Sequence, residues 1–191
     1  KPNKGQIFIN GKKSKIKSPS TAIKKGIAYL SENRKEDGLF LHLNILINLT
    51  ISILNKISNF LGIIDSRNQK EISNSLIKQF EIVVPNIKSK IQTLSGGNQQ
   101  KALIARLVNT NPNIIIFDEP TKGVDVGSIE SIHNIIRELA DQGKSIIVIS
   151  SYLPEILSIS SRIIVMKNGE IVENVFTKDT NQQKIMESAL N

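Results

Sequence analysis

The sequence predicts an α/β fold, a mostly parallel sheet core with antiparallel β hairpins at its two ends and a helical lobe between. Three observations carry this reading. Ile114-Ile115-Ile116-Phe117 is short, continuously apolar and rich in β-branched residues, the pattern of a strand buried on both faces of a parallel sheet. A second buried strand, Ile146 to Ile149, follows an amphipathic helix whose Ile129, Ile132, Ile136 and Leu139 share one face. Asn10-Gly11 and Asn168-Gly169 are two-residue hairpin turns flanked by apolar runs.

Along the chain, Gln6-Ile7-Phe8-Ile9 alternates, meets Asn10-Gly11 and is followed by Lys13 to Lys17, an antiparallel hairpin. Gly5 and Gly11-Lys12 mimic a phosphate-binding loop, but that motif needs four residues between its glycines and Ser or Thr after the lysine. Here five intervene and Lys13 follows, so the hairpin reading prevails. Ser18-Pro19-Ser20 starts a short helix through Lys25, since proline is tolerated near a helix start. Gly26 ends it, Ile27 to Leu30 is the next strand, and Ser31-Glu32-Asn33-Arg34 falls at that strand's end.

Residues 33–92 form the helical region. It comprises a polar turn, an apolar stretch from Leu39 to Leu54, a linker around Asp65, and a helix from Asn68 to Phe80 with Ile72, Leu76 and Phe80 on one face. Next, Ser95-Gly96-Gly97 precedes a helical run through Lys101, Ala102, Leu103, Ala105, Arg106 and Leu107, which must stop before Asn111-Pro112. The helix after Asp125 ends near Gln142-Gly143. Ile163 to Met166 and Glu170 to Phe176 form the final hairpin, and Asp179 to Leu190 a terminal helix capped by Asp179 or Thr180.

Composition excludes several function classes. At 191 residues the chain is one domain with a smaller lobe. It has no cysteine, hence no disulfide frame or thiolate zinc site, and a reducing compartment suits it. His42, His133 and the acids show no metal-ligand spacing, so both histidines read as surface or core residues. The apolar-leaning stretch from Leu39 to Ile64 is broken by His42, Asn44, Asn48, Asn55, Lys56 and Asn59, which denies it a membrane span. No signal peptide is visible, and the opening Lys1 suggests a piece of a longer protein. The net charge of +8 comes from the leading segment, because every acid lies beyond residue 31. Such a basic stretch is a solvated face, or one near anionic headgroups, rather than a base-reading surface; 4% aromatics leave little for base stacking.

The residues from Leu94 to Asp125 carry the chemistry. Free N–H groups and the positive end of a helix converge on Ser95-Gly96-Gly97, where a phosphate would fit. Asp118 and Glu119 end an apolar strand, the end at which open α/β sheets bind ligands. A carboxylate there holds Mg²⁺ through its water shell, and its neighbour orients or deprotonates an attacking water. Asp125 supplies a third carboxylate in the following loop.

Each piece alone is weak, but the set in this order resembles the ABC-type ATPases. LSGGNQQK (94–101), TKGVDVG (121–127) and SENRKEDGLF (31–40) resemble most the second ATP-binding domain of bacterial sugar importers, of the ribose, galactose and xylose class, and of related nucleoside importers. The resemblance covers nearly all of the chain. It implies a P-loop NTPase-like ABC ATPase domain lacking its N-terminal phosphate-loop segment, with residues 1–32 and 93–191 as the ATPase core and 33–92 as the helical lobe. It implies ATP and Mg²⁺ as cofactors, Asp118 as the Mg²⁺ ligand and Glu119 as the catalytic carboxylate. Ser95, Gly96, Gly97, Asn98 and Gln99 would act across a dimer with a second ABC ATPase domain, alongside Asp125. Glu32 stands where most of the family has a glutamine that touches Mg²⁺, and Ser151 where most have a histidine that contacts the γ-phosphate.

The further expectations follow from that family. Asp37 to Leu43 would dock a membrane permease, a substrate-binding protein would act indirectly, and no nucleic acid would be bound. The domain would sit on the cytoplasmic face of the bacterial plasma membrane. It would hydrolyse ATP as part of the assembled transporter, donating an intact signature to its partner while its own half-site is slow, and this chain alone would be inactive. Two other readings stand beside it: a non-catalytic module that docks on a permease or partner domain without turnover, and a soluble ABC ATPase of DNA repair or translation. The absence of long coiled-coil heptads disfavours the second.

Overall fold

A computed structural model describes residues 5–190. Strands β1 (Ile7–Ile9) and β2 (Lys12–Ser14) form the expected antiparallel hairpin, with Ile7 opposite Ser14. Asn10 and Gly11 take φ of 51° and 72°, the pair of left-handed residues that a tight hairpin turn requires. Helix α1 (Pro19–Lys24) is capped by Ser18, whose Oγ accepts from the Thr21 N–H at 3.2 Å, with Pro19 in its first turn. Strand β3 (Ile27–Leu30) leads into one wide turn, Arg34–Gly38.

The helical region is organised by short polar side chains rather than by its apolar run. Asn44 caps α2 (Ile45–Thr50), accepting from the Ile47 N–H at 2.8 Å, and a tighter turn joins it to α3 (Leu54–Ile57). Asp65, expected in a linker, is instead the cap of α4 (Ser66–Gln79): its Oδ1 accepts from the Arg67 and Asn68 N–H groups, both at 3.0 Å. The helix therefore starts before Asn68. Helix α5 (Gly96–Val108) also starts earlier than expected, with Ser95 as cap and both glycines inside its first turn.

The central sheet is parallel, in the order β3–β4–β5, with β4 (Ile114–Asp118) between β3 and β5 (Ser145–Ile149). Helix α6 (Val126–Asp141) joins β4 to β5 and ends, as expected, at Gln142-Gly143. Helices α5 and α6 pack on the sheet face bearing Ala28, Leu30, Ile115 and Phe117. The expectation that both strands are buried on two faces is corrected here. Ile147 and Ile149 are 50% and 48% exposed, and Ile114 and Ile116 are only partly buried, because among the described residues no helix covers their side of the sheet. One buried core nonetheless runs from Ile115 and Phe117 through Ala102, Leu103 and Ala105 to Leu49, Leu76 and Phe80.

Helix α7 (Leu153–Ile159) follows β5; its shortness hid its period. Strands β6 (Arg162–Lys167) and β7 (Glu170–Phe176) form the final hairpin about Asn168-Gly169. Helix α8 (Gln182–Leu190) starts later than expected. Asn181 Oδ1, not Asp179 or Thr180, accepts from the first turn, at Lys184 N–H, while Thr177–Asp179 is a separate short turn. Among the described residues no helix is long and apolar enough to cross a membrane.

Candidate functional site

Parallel pairing sets the site. With Asp118 opposite Ile149, the carboxyl ends of β4 and β5 lie side by side, and the residues just beyond them meet. Glu119 leaves β4 with φ of 48°, a left-handed conformation that is strained for a side chain of this kind and tends to persist where function requires it. Its N–H donates to Ile149 O at 2.8 Å and its Oε1 accepts from the Ser151 N–H at 2.7 Å. Glu119 and Ser151 are therefore neighbours. Asp118 Oδ2 accepts from the hydroxyl of Tyr29 on the neighbouring strand β3 at 2.6 Å, which pushes the Tyr29 phenol above its ordinary range.

Glu32, just past β3, is ion-paired with Lys122 in the loop after Glu119. The carboxylate holds the Lys122 ammonium above its ordinary value, chiefly through their hydrogen bond. Sequence reasoning missed this partner because the two residues meet only when β3 and β4 pair.

The turn at Ser95 packs against that same loop. A Cβ on Gly97 would lie 2.2 Å from Ser128 Oγ and 3.2 Å from Asp125 Oδ2, so only glycine fits. Asp125 occupies the N-cap position of α6 without a side-chain cap bond; its two carboxylate oxygens accept instead from Ser128 Oγ at 2.9 and 3.0 Å. Ser95 Oγ accepts from Asn98 Nδ2 at 3.0 Å, and Asn98 Oδ1 accepts from the Val83 N–H at 2.8 Å. Gln99 is buried and donates inward, to Leu94 O at 3.0 Å. Gln100, which the sequence did not single out, donates to Pro120 O at 2.6 Å and ties α5 to the carboxylate loop.

Of the two histidines, His42 is exposed and His133 is buried against Glu155. Among the described residues there is no group of three or more His, Cys, Asp or Glu that could hold a metal. Mg²⁺ is characteristically held by one or two carboxylates together with substrate phosphates rather than by an all-protein cage. Asp118, a carboxylate at the ligand-binding end of the sheet, fits that role.

The family model described as "ABC transporter" matches residues 1–122, well over half of the sequence and including the Ser95 turn and Asp118. The chain belongs to the ABC transporter family. It is 44% identical over 190 residues to the ribose import ATP-binding protein RbsA of Caldanaerobacter subterraneus subsp. tengcongensis, covering 100% of this chain and 38% of that protein. It is 42% identical over 182 residues to RbsA of Bacillus subtilis, covering 95% of this chain and 37% of that protein. The chain thus spans about 38% of the length of the curated relatives it matches.

Solved ABC cassettes share the fold. MJ1267, an ATP-binding cassette of an ABC transporter, superposes with a TM-score of 0.79 at 23% identity, over 97% of this chain and 77% of that one. A dimeric post-hydrolysis state of the cassette MJ0796 bound to ADP and Pi gives 0.75 at 24% identity, over 93% and 75%. The ABC ATPase fold expected from the sequence, with a parallel core sheet and antiparallel hairpins, is therefore present.

Proposed function

We propose that this chain is an ATP-binding domain, the second of two in its polypeptide, of a bacterial importer for a sugar or a nucleoside. The observation that carries the reading is the fit of Gly96 and Gly97 against the Asp125 loop, a fit that admits no side chain at Gly97. It fixes the Ser95 turn and Asp125 as one surface, which a partner ABC ATPase domain would meet. The match to ribose import ATP-binding proteins over the whole chain supports the sugar class.

In this reading ATP and Mg²⁺ are bound between two such domains, and the metal supplies charge neutralisation at the phosphates. Asp118 would hold the metal through its water shell. Glu119, fixed by the Ser151 N–H, orients and deprotonates the attacking water. Ser95, Gly96, Gly97, Asn98 and Asp125 face the partner's nucleotide, and buried Gln99 shapes the turn from beneath. Phe40, 50% exposed, and Leu43 lie in the segment that would receive the permease on the cytoplasmic side of the membrane.

The two half-sites differ in quality. Glu32, taken up by Lys122, and Ser151, in place of a histidine, weaken the site containing Asp118, whereas the Ser95 turn is intact. This domain mainly completes its partner's site. In the full-length transporter reconstituted with its permease, Ser95→Ala should therefore reduce ATP-driven uptake far more than Glu119→Gln; equal losses would refute the asymmetry. No G-x-x-x-x-G-K-[ST] run occurs in the 191 residues, so these residues by themselves should show no Mg-ATP binding by calorimetry.

A further inference from the structure

Arg34 opens the wide turn after β3 and reaches back across the site. Its Nη1 donates to Lys122 O at 3.1 Å and its Nη2 to Gly123 O at 2.7 Å, two successive carbonyls of the Asp125 loop. A planar guanidinium matches such a pair with two nearly parallel N–H bonds; the ammonium of a lysine does not. Gly123 turns its carbonyl inward by adopting φ of 64°, a conformation that suits glycine.

The same guanidinium lies over the first turn of α5. A Cβ on Gly96 would stand 3.0 Å from Arg34 Nη2 and 3.1 Å from Gly123 O, so the absence of a side chain there lets the clamp close. Arg34 Nε is buried without a partner, and burial pulls the guanidinium below its ordinary value. The loop is gripped a second time by Glu32 through the Lys122 side chain. At the far end of the Arg34–Gly38 turn, Arg106 of α5 donates to Gly38 O and lies over the Phe40 ring, 5.9 Å from its centroid. The segment from Glu32 to Phe40 is thus bonded to the loop and seated on α5 at two levels.

We infer that Arg34 is a positioning residue: its guanidinium sets the carbonyls of Lys122 and Gly123 over Gly96, so that the Ser95 turn and the Asp125 loop keep one fixed relation and shift together with the segment from Glu32 to Phe40. Both side-chain hydrogen bonds of Arg34 go to backbone carbonyls. The consequence for turnover rests on the proposed ATPase function, but the clamp itself does not.

The test is amide hydrogen exchange on the full-length nucleotide-free protein, followed peptide by peptide. Arg34→Lys and Arg34→Gln should each speed exchange about tenfold in residues 95–99 and 119–128, with the central strands unchanged. Retained protection in Arg34→Lys would reduce the role to charge and overturn the clamp; a rise spread over the whole domain would reduce it to general stability and also overturn it. Gly96→Ala should loosen the loop more when Arg34 is present than in an Arg34→Ala background, and strictly additive effects would contradict the contact. In the assembled transporter, Arg34→Lys should lower kcat with KM for Mg-ATP unchanged; a change confined to KM would argue against positioning. If the parent protein shows no turnover at all, the proposed function fails, while the exchange pattern still decides the clamp.

Discussion

Glu155 on α7 accepts a hydrogen bond from His133 of α6 at 2.9 Å, beneath the loop that carries Asp125. The same oxygen accepts from Thr121 Oγ1 at 2.8 Å, and Glu155 is 2% exposed. Removing a buried acceptor leaves the donors that it served without a partner, which is expensive. Glu155→Ala should therefore lower unfolding stability by about 2–5 kcal/mol in denaturant titrations. Glu155→Gln, which keeps an acceptor oxygen, should cost clearly less. Similar losses in both variants would show that the charge, not the hydrogen bonding, holds α6, α7 and the loop together.

Gly97→Ala would drive a Cβ into Ser128, where both the Oγ at 2.2 Å and the Cβ at 2.4 Å lie too close. The expected destabilisation is about 1–3 kcal/mol, as for other overpacked sites. Adding Ser128→Gly should recover most of it in the same thermal or denaturant measurement. No recovery would mean that the backbone of α6, not the serine side chain, sets the limit.

Asn48 is buried in α2 and holds both backbone groups of Phe40: its Oδ1 accepts from the Phe40 N–H and its Nδ2 donates to Phe40 O, each at 3.0 Å. Asn48→Leu keeps the size but strands those backbone groups, at about 1–3 kcal/mol. Amide exchange at Phe40 should accelerate before that of α4. Unchanged exchange would show that apolar packing alone shapes the segment.

On the outer face of α6, Arg137 donates to Glu130 Oε1 at 2.9 Å and holds the Glu130 carboxyl below its ordinary value of 4.5. A depressed folded-state pKa gives stability that is present above the unfolded value and lost as pH falls through the folded one. A carboxyl NMR titration should therefore place Glu130 below its ordinary value, and Arg137→Gln should bring it back up. The overall unfolding midpoint should barely move, because the pair is exposed and screened.

Much of the fold is legible in residues that act on their immediate neighbours. Asn10-Gly11 and Asn168-Gly169 make their turns, Ser18 and Ser95 cap their helices, and Pro112 and Gly143 lie just beyond the helix ends they mark. The carboxylates at the end of β4 were equally legible, because an apolar strand places whatever follows it. Asp65 and Asn181 were misread for the same local reason: several polar residues near a helix start can each cap it, and only the folded backbone selects one.

The sequence by itself determined the turns, most of the helices, the parallel strands and the chemical identity of the Ser95, Asp118, Glu119 and Asp125 positions, since each follows from spacing within a few residues. Tertiary structure alone decided which sheet face is covered, that Gln99 turns inward, and that Glu32 meets Lys122, Arg34 meets Gly123 and Glu155 meets His133. Apart from Gln99, whose partner is close in sequence, those partners lie far apart along the chain and become neighbours only when β3 and β5 pair with β4. A charged side chain takes its partner from that register, which no local pattern encodes.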